Sequence, residues 1–219
     1  MKPILFNTEG VKAILNGRKT VTRRVVKKDK ADAVLSSPFR MENPDIPDDR
    51  FIKCLCTAPC EIGDVLYVRE TWNKIKLESE SEWHYEYRAS CENPSYFSNG
   101  FMAEWRPSIH MPKEAARIFL RVIDVRVERL QDMTDKDALK EGAQGVKCDH
   151  AVLGAYGCTD CMNTGWLEPP ALEFVESWNS TIKKSDIDSY GWEANPWVWV
   201  IEFERIGREE AMSEEHHDD

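Results

Sequence analysis

Within fourteen residues the chain gathers four soft or borderline metal ligands: Cys148-x-His150 and, after seven intervening residues, Cys158-x-x-Cys161. Zinc takes such a tetrahedral set, and a site closed by four protein ligands is structural rather than catalytic. Its physical role would be to organise an insertion that has almost no core of its own. The alternative is a set of thiols on a loop. Cys54, Cys56 and Cys60 form a tighter trio without an obvious fourth ligand, which Cys91 could complete. A zinc nucleobase deaminase is excluded. It needs H-x-E together with P-C-x-x-C, and although His84-x-Glu86 is present, Cys158 follows Gly157.

A second concentration of chemistry is cationic. Residues 1–30 hold nine Lys or Arg against Glu9 and Asp29, a balance of +7 in a chain whose net charge is −10. Arg18, Lys19, Arg23 and Arg24 crowd together there, so an anionic ligand is sought at this end; ordinary solvated charges are the competing reading. Further along, Arg69 and Glu70 end a strand beside Trp72, either as a structural ion pair or as the lining of a cleft. Arg106 and His110 lie in a proline-bounded loop, RPSIHMP. Trp72, Trp105 and His110 are candidates to stack on or hydrogen-bond a base, or else to anchor core and loop.

The elements that must position these residues are short. Residues 8–16 predict a helix, with Thr8 as N-cap, an apolar stripe of Val11, Ile14 and Leu15, and Gly17 as its stop. TVTRRVV, 20–26, is β-branched and alternating, hence a strand. Residues 27–62 carry Pro38, Pro44, Pro47 and Pro59 and read as an irregular insertion. Strands are predicted at 63–72, 83–89, 117–130 and 195–206. A helix at 134–141 has a Thr134/Asp137 capping box, and an amphipathic helix covers 170–182. Residues 143–168, rich in Gly and Cys, are a second insertion. Trp197 and Trp199 alternate in an apolar strand and read as core. The whole predicts an α+β domain around a small twisted, barrel-like sheet. No glycine-rich loop follows a strand, which excludes a doubly wound nucleotide fold.

Composition narrows the setting. The 219 residues are 42% hydrophobic and 31% charged, enough for a core and a well-solvated surface. No run nears the ~18 apolar residues of a membrane span, and the start lacks a signal-peptide pattern. A cytoplasmic protein with no membrane partner is expected. The acidic balance disfavours coating of duplex DNA. From Gly207 six acids face Arg208 alone, and this tail, 207–219, reads as disordered.

Taken together, GRKTVTRR (17–24), GDVLYVRETW (63–72), MTDKDALKEG (133–142) and PWVWVIEFERI (196–206) resemble the ASCH family. With WRPSIHMP (105–112) the chain is similar to the longer ASCH proteins of phages and prophages. The resemblance spans residues 1–206 as one domain, apart from the insertions at 27–62 and 143–168. It implies a PUA-like β-barrel that recognises RNA or a modified nucleoside in a cleft between barrel and helix. Small members of the family are amidohydrolases that deacetylate acetylcytidine with a Lys, a Thr and a Glu. By motif position these fall at Lys19, Thr22 and Glu141.

The residue types suit that chemistry. Amide hydrolysis needs a nucleophile, a base to activate it and an acid for the leaving nitrogen. A lysine serves as base only when its pKa is lowered, and Arg18, Arg23 and Arg24 supply like charges beside Lys19. Glu141 lies at the negative end of a helix, an unfavourable place for a carboxylate and so a suitable one for a proton donor. On an ideal strand Lys19 and Thr22 face opposite ways; a bend between helix and strand lets them converge. Two alternatives stay open: a non-catalytic RNA- or nucleotide-binding module, and a phage accessory protein acting on a host protein through its acidic surface.

Overall fold

The computed structural model describes residues 1–76, 82–98, 100–149, 161 and 164–215. It is an α+β protein. The chain packs as two compact units: residues 1–17, 62–123 and 203–219 form the first, residues 18–61 and 124–202 the second.

In the first unit, β1 (Lys2–Leu5) leads into α1 (Thr8–Leu15). Asn7, rather than Thr8, caps α1: its side chain accepts from the Gly10 N–H at 2.8 Å. Gly17 ends the turn at φ +71°, a conformation that costs a residue without Cβ little. β1 runs parallel to β3 (Val65–Arg69), which pairs antiparallel with β6 (Phe119–Arg129). The strand predicted over 63–72 breaks at Glu70, whose backbone N–H turns to the Met111 sulfur at 3.2 Å. Trp72 then opens a hairpin of β4 (Trp72–Lys76) and β5 (Trp83–Tyr87). Val65, Tyr67, Trp72, Met111 and Phe119 form the core of this unit.

In the second unit, β2 (Val21–Val25) lies at the edge of the order β6-β9-β2. It pairs antiparallel with β9 (Trp197–Ile206), from Val21 opposite Glu202 to Val25 opposite Val198. Strand alternation places Val21, Arg23, Val25, Val198 and Val200 on one face. Onto the valines of that face pack α5 (Asp135–Lys140) and α6 (Pro170–Thr181), through Ala138, Phe174 and Trp178. The predicted box at Thr134 is present: Thr134 Oγ1 accepts from the Asp137 N–H at 3.2 Å, and Asp137 accepts from the Thr134 N–H at 3.1 Å. Trp199 is buried in β9, whereas Trp197, also expected in the core, is half-buried.

Two expectations are corrected, and a third gains detail. Residues 27–62 are not irregular, since α2 (Lys28–Leu35), α3 (Pro38–Glu42) and α4 (Asp48–Leu55) fill most of the segment. Pro38 and Pro47 stand at helix starts, where a missing N–H costs nothing. Residues 143–168 include a short antiparallel pair, β7 (Val146–Lys147) with β8 (Trp166–Glu168). The tail does not begin as a disordered segment. After a helical turn at Ile187–Tyr190, labelled α7, the last helix is α8 (Arg208–Glu215). Ala211 of α8 is fully buried, and Arg121 gathers Glu204, Glu210 and Glu214 by ion pairs.

Candidate functional site

The turn 18–20 is built onto the C-terminal end of α5. The last carbonyls of a helix have no partner within it, and here three consecutive residues supply them. The Thr20 N–H donates to the Lys140 carbonyl at 2.8 Å, Lys19 Nζ to the Glu141 carbonyl at 2.8 Å, and Arg18 Nη1 to the Gly142 carbonyl. Two of these donors are cations at the negative pole of the helix, which adds to their hold.

Lys19 also donates to Glu141 Oε2. The other carboxylate oxygen, Oε1, accepts from Arg23 Nη1 at 3.1 Å. Side-chain exposure is 8% for Lys19, 5% for Glu141 and 0% for Arg23, so the three charges stand almost out of water. Charges so placed must be paired, because the desolvation of each costs several kcal/mol, of order. Arg23 is paired on its other side by Glu128 of β6, whose Oε1 accepts from Nε at 3.1 Å and from Nη2 at 2.5 Å. The guanidinium lies 6.0 Å from the centroid of the Phe174 ring.

Burial is the main influence on Lys19 and pulls its pKa below the ordinary lysine value. Glu141 opposes this, while Arg24 and Arg23 add to it. Burial likewise works against the charge on Arg24, and Glu141 and then Cys60 favour it. Thr22 is 3% exposed. Its place in β2 puts it on the face of Arg24, opposite Arg23, and its hydroxyl has no part in the bonds joining Lys19, Glu141, Arg23 and Glu128.

Of the predicted residues, then, Arg18, Lys19, Arg23 and Glu141 meet in one network, with Arg24 within its electrostatic reach. Arg69, Glu70, Trp72, Arg106 and His110 belong to the first unit and do other work there. Glu70 is 1% exposed and binds Arg117, not Arg69, through both oxygens at 2.8 and 2.9 Å. Arg69 Nη1 donates to the Ile109 carbonyl at 3.3 Å. Trp72 is a core residue with the Arg106 guanidinium 5.4 Å from its ring centroid. His110 is exposed in the turn Ser108–His110.

Cys148 and Cys161 are both buried, and the Cys148 N–H donates to the Gly165 carbonyl at 3.1 Å. His150 and Cys158 lie outside the described residues. Among the described residues no three His, Cys, Asp or Glu side chains gather to hold a metal ion, and these include Cys54, Cys56, Cys60 and Cys91. A hollow of about 120 Å³ in the second unit has Lys28, Arg129, Tyr190 and Trp197 in its wall and none of the predicted site residues. No described helix is long and apolar enough to cross a membrane.

The sequence reading missed Glu128. The one signal for it is a change along β6. The row Ile118, Leu120, Val122 turns charged at Asp124, Arg126 and Glu128, which shows a change of surroundings but not the partner Arg23.

Comparison of the chain with protein-family models, with curated proteins and with solved structures found no match.

Proposed function

We propose that this is an ASCH-type protein with a PUA-like barrel, whose Lys19–Glu141 centre takes a modified nucleoside, free or within RNA, and hydrolyses the amide of an acylated cytidine. The observation that carries the reading is the buried Lys19, held against Glu141 with two arginines close by. A lysine whose charge is disfavoured by burial is a base at a lower pH than a solvated one.

In this reading neutral Lys19 takes the Thr22 hydroxyl proton as Thr22 Oγ bonds to the acyl carbon. The C–N bond then breaks. The proton passes from Lys19, through the oxygen of Glu141 that it touches, to the leaving exocyclic nitrogen. Water cleaves the threonine ester, releasing the acid and restoring the hydroxyl. Support for Thr22 comes from the edge position of β2. Thr22 follows Lys19 closely in the chain and shares its strand face with Arg24.

The competing reading is a nucleoside- or RNA-binding module that does not react. It is favoured by the absence of the Thr22 hydroxyl from the Lys19–Glu141 network. Acetylcytidine hydrolysis by the wild type and by Lys19→Ala, Thr22→Ala and Glu141→Gln separates the two. Turnover by the wild type and its loss in all three variants is the expected result. Salt-dependent RNA affinity without turnover would replace the enzyme with the binder.

We propose also that the Cys148/His150/Cys158/Cys161 set holds a structural zinc. Burial of Cys148 and Cys161 beside a pair of very short strands supports this.

A further inference from the structure

We propose that Glu128 is a positioning residue for the Lys19–Glu141 pair and acts on it through Arg23. The inference rests on the reading of that pair as the reacting centre. Arg23 projects from the face of β2 that carries Val21 and Val25, opposite Val200 in register and over the Phe174 ring. A guanidinium in so apolar a place holds its position only where carboxylates meet it. Glu128 gives one oxygen to both Nε and Nη2, which fixes the plane of the fork. The remaining edge, Nη1, is thereby aimed at Glu141 Oε1. Glu141 is left with Oε2 for Lys19. The order is Glu128, Arg23, Glu141, Lys19, with charges alternating in sign at each step.

Asp137 of α5 also feels the charges of Arg23 and Arg126. Glu141 from α5 and Arg24 from β2 act on Lys19 directly, as does Arg23. The second oxygen of Glu128 faces Arg126 Nε at 3.5 Å. Arg126 lies 3.9 Å from Glu202 of β9, and Glu202 accepts from Lys140 at 3.3 Å. Glu128 is the carboxylate hydrogen-bonded to Arg23 on the side away from the reacting pair.

Replacing Glu128 by Gln removes that charge. Arg23 then presents more uncompensated positive charge to Lys19, and Lys19 gives up its proton at lower pH. Lys19 must be neutral to act as base, so activity rises with pH through its pKa. In Glu128→Gln this rising limb moves to lower pH by roughly half to one unit. The kcat falls roughly tenfold, because Glu141 loses its fixed partner. Glu128→Asp keeps the charge on a shorter arm, so its limb stays in place while kcat falls. A merely structural role would lower the active fraction at every pH and leave the limb where it was.

The experiment is the pH profile of acetylcytidine hydrolysis for the wild type, Glu128→Gln and Glu128→Asp. Beside it, the same proteins carrying 13Cε-labelled lysine are titrated by NMR, with Lys19→Arg assigning the signal. A limb and a Lys19 titration both moved to lower pH in Glu128→Gln are expected. A wild type that is active, with both unmoved in Glu128→Gln, overturns the role of Glu128 and leaves the enzyme standing. A wild type that never turns over removes the enzyme reading, and the NMR titration alone then decides whether Glu128 governs Lys19. If Glu128→Gln does not fold, an unchanged kcat in Glu128→Asp overturns the proposal.

Discussion

Lys19 reaches Glu141 twice, at the backbone carbonyl at 2.8 Å and at the side-chain oxygen Oε2. One residue thus closes the end of α5 and neutralises a buried carboxylate. The two jobs predict a large effect on stability. Lys19→Met leaves Glu141 with Arg23 alone and is expected to cost about 3–5 kcal/mol in denaturant unfolding, the usual penalty for breaking a buried pair from one side. Lys19→Met with Glu141→Leu should recover part of that loss, because no buried carboxylate is then left short of a partner. A loss in the double variant equal to the sum of the losses in Lys19→Met and Glu141→Leu would mean that the pair is not coupled.

The start of α5 is set by Thr134 and Asp137. Thr134→Ala removes the cap and is expected to destabilise the protein by about 0.5–2 kcal/mol. Burial disfavours the Asp137 carboxylate, but its bonds from Thr134 outweigh this and hold its pKa below the ordinary value. A carboxyl whose folded pKa is lowered adds stability above its unfolded pKa of about 3.9 and loses it as the pH falls through the folded value. Thermal unfolding of the wild type and Asp137→Asn should therefore differ at neutral pH and converge on acidification below about 4.

Arg121 faces three carboxylates, two of them on α8. Arg121→Ala is expected to raise amide exchange across 208–215 while β2 and β9 stay protected. High salt should do the same in part, since these pairs reach the surface. Unchanged exchange in α8 would show that the burial of Ala211 alone holds the helix.

Much of this fold was legible in the sequence, because period-2 and period-3.6 patterns survive wherever one face is buried. The strand predicted at 20–26 is β2, that at 195–206 contains β9, and the helix at 170–182 is α6. The box at Thr134 was visible because capping depends on residues three apart. The prolines of 27–62 misled, since Pro38 and Pro47 start helices rather than stop them. The acidic charge of 208–215 hid a helix whose hold on the protein is long-range, at Ala211 and Arg121. The site was half legible: GRKT and the end of α5 point to Lys19 and Glu141, while Glu128 lies over a hundred residues from Arg23. Local spacing carries no sign of such a pair.

The cysteine set predicts one zinc per chain. Purified protein should contain it by elemental analysis, and Cys148→Ser, Cys161→Ser and Cys158→Ser should each lose it. Because zinc would be folding energy for this segment, chelation should raise proteolysis within 143–168 and leave the Lys19 network intact. Metal-free protein with the same protease resistance would rule the site out.

The most direct test of the reaction is to quench a single turnover of acetylcytidine and look for an acetyl group on Thr22 by peptide mass spectrometry. An acetylated peptide spanning 20–23 is expected to form as cytidine is released and to decay as acetate appears. It should be missing in Lys19→Ala. Cytidine release with no adduct at Thr22, or an adduct at another residue, would contradict it.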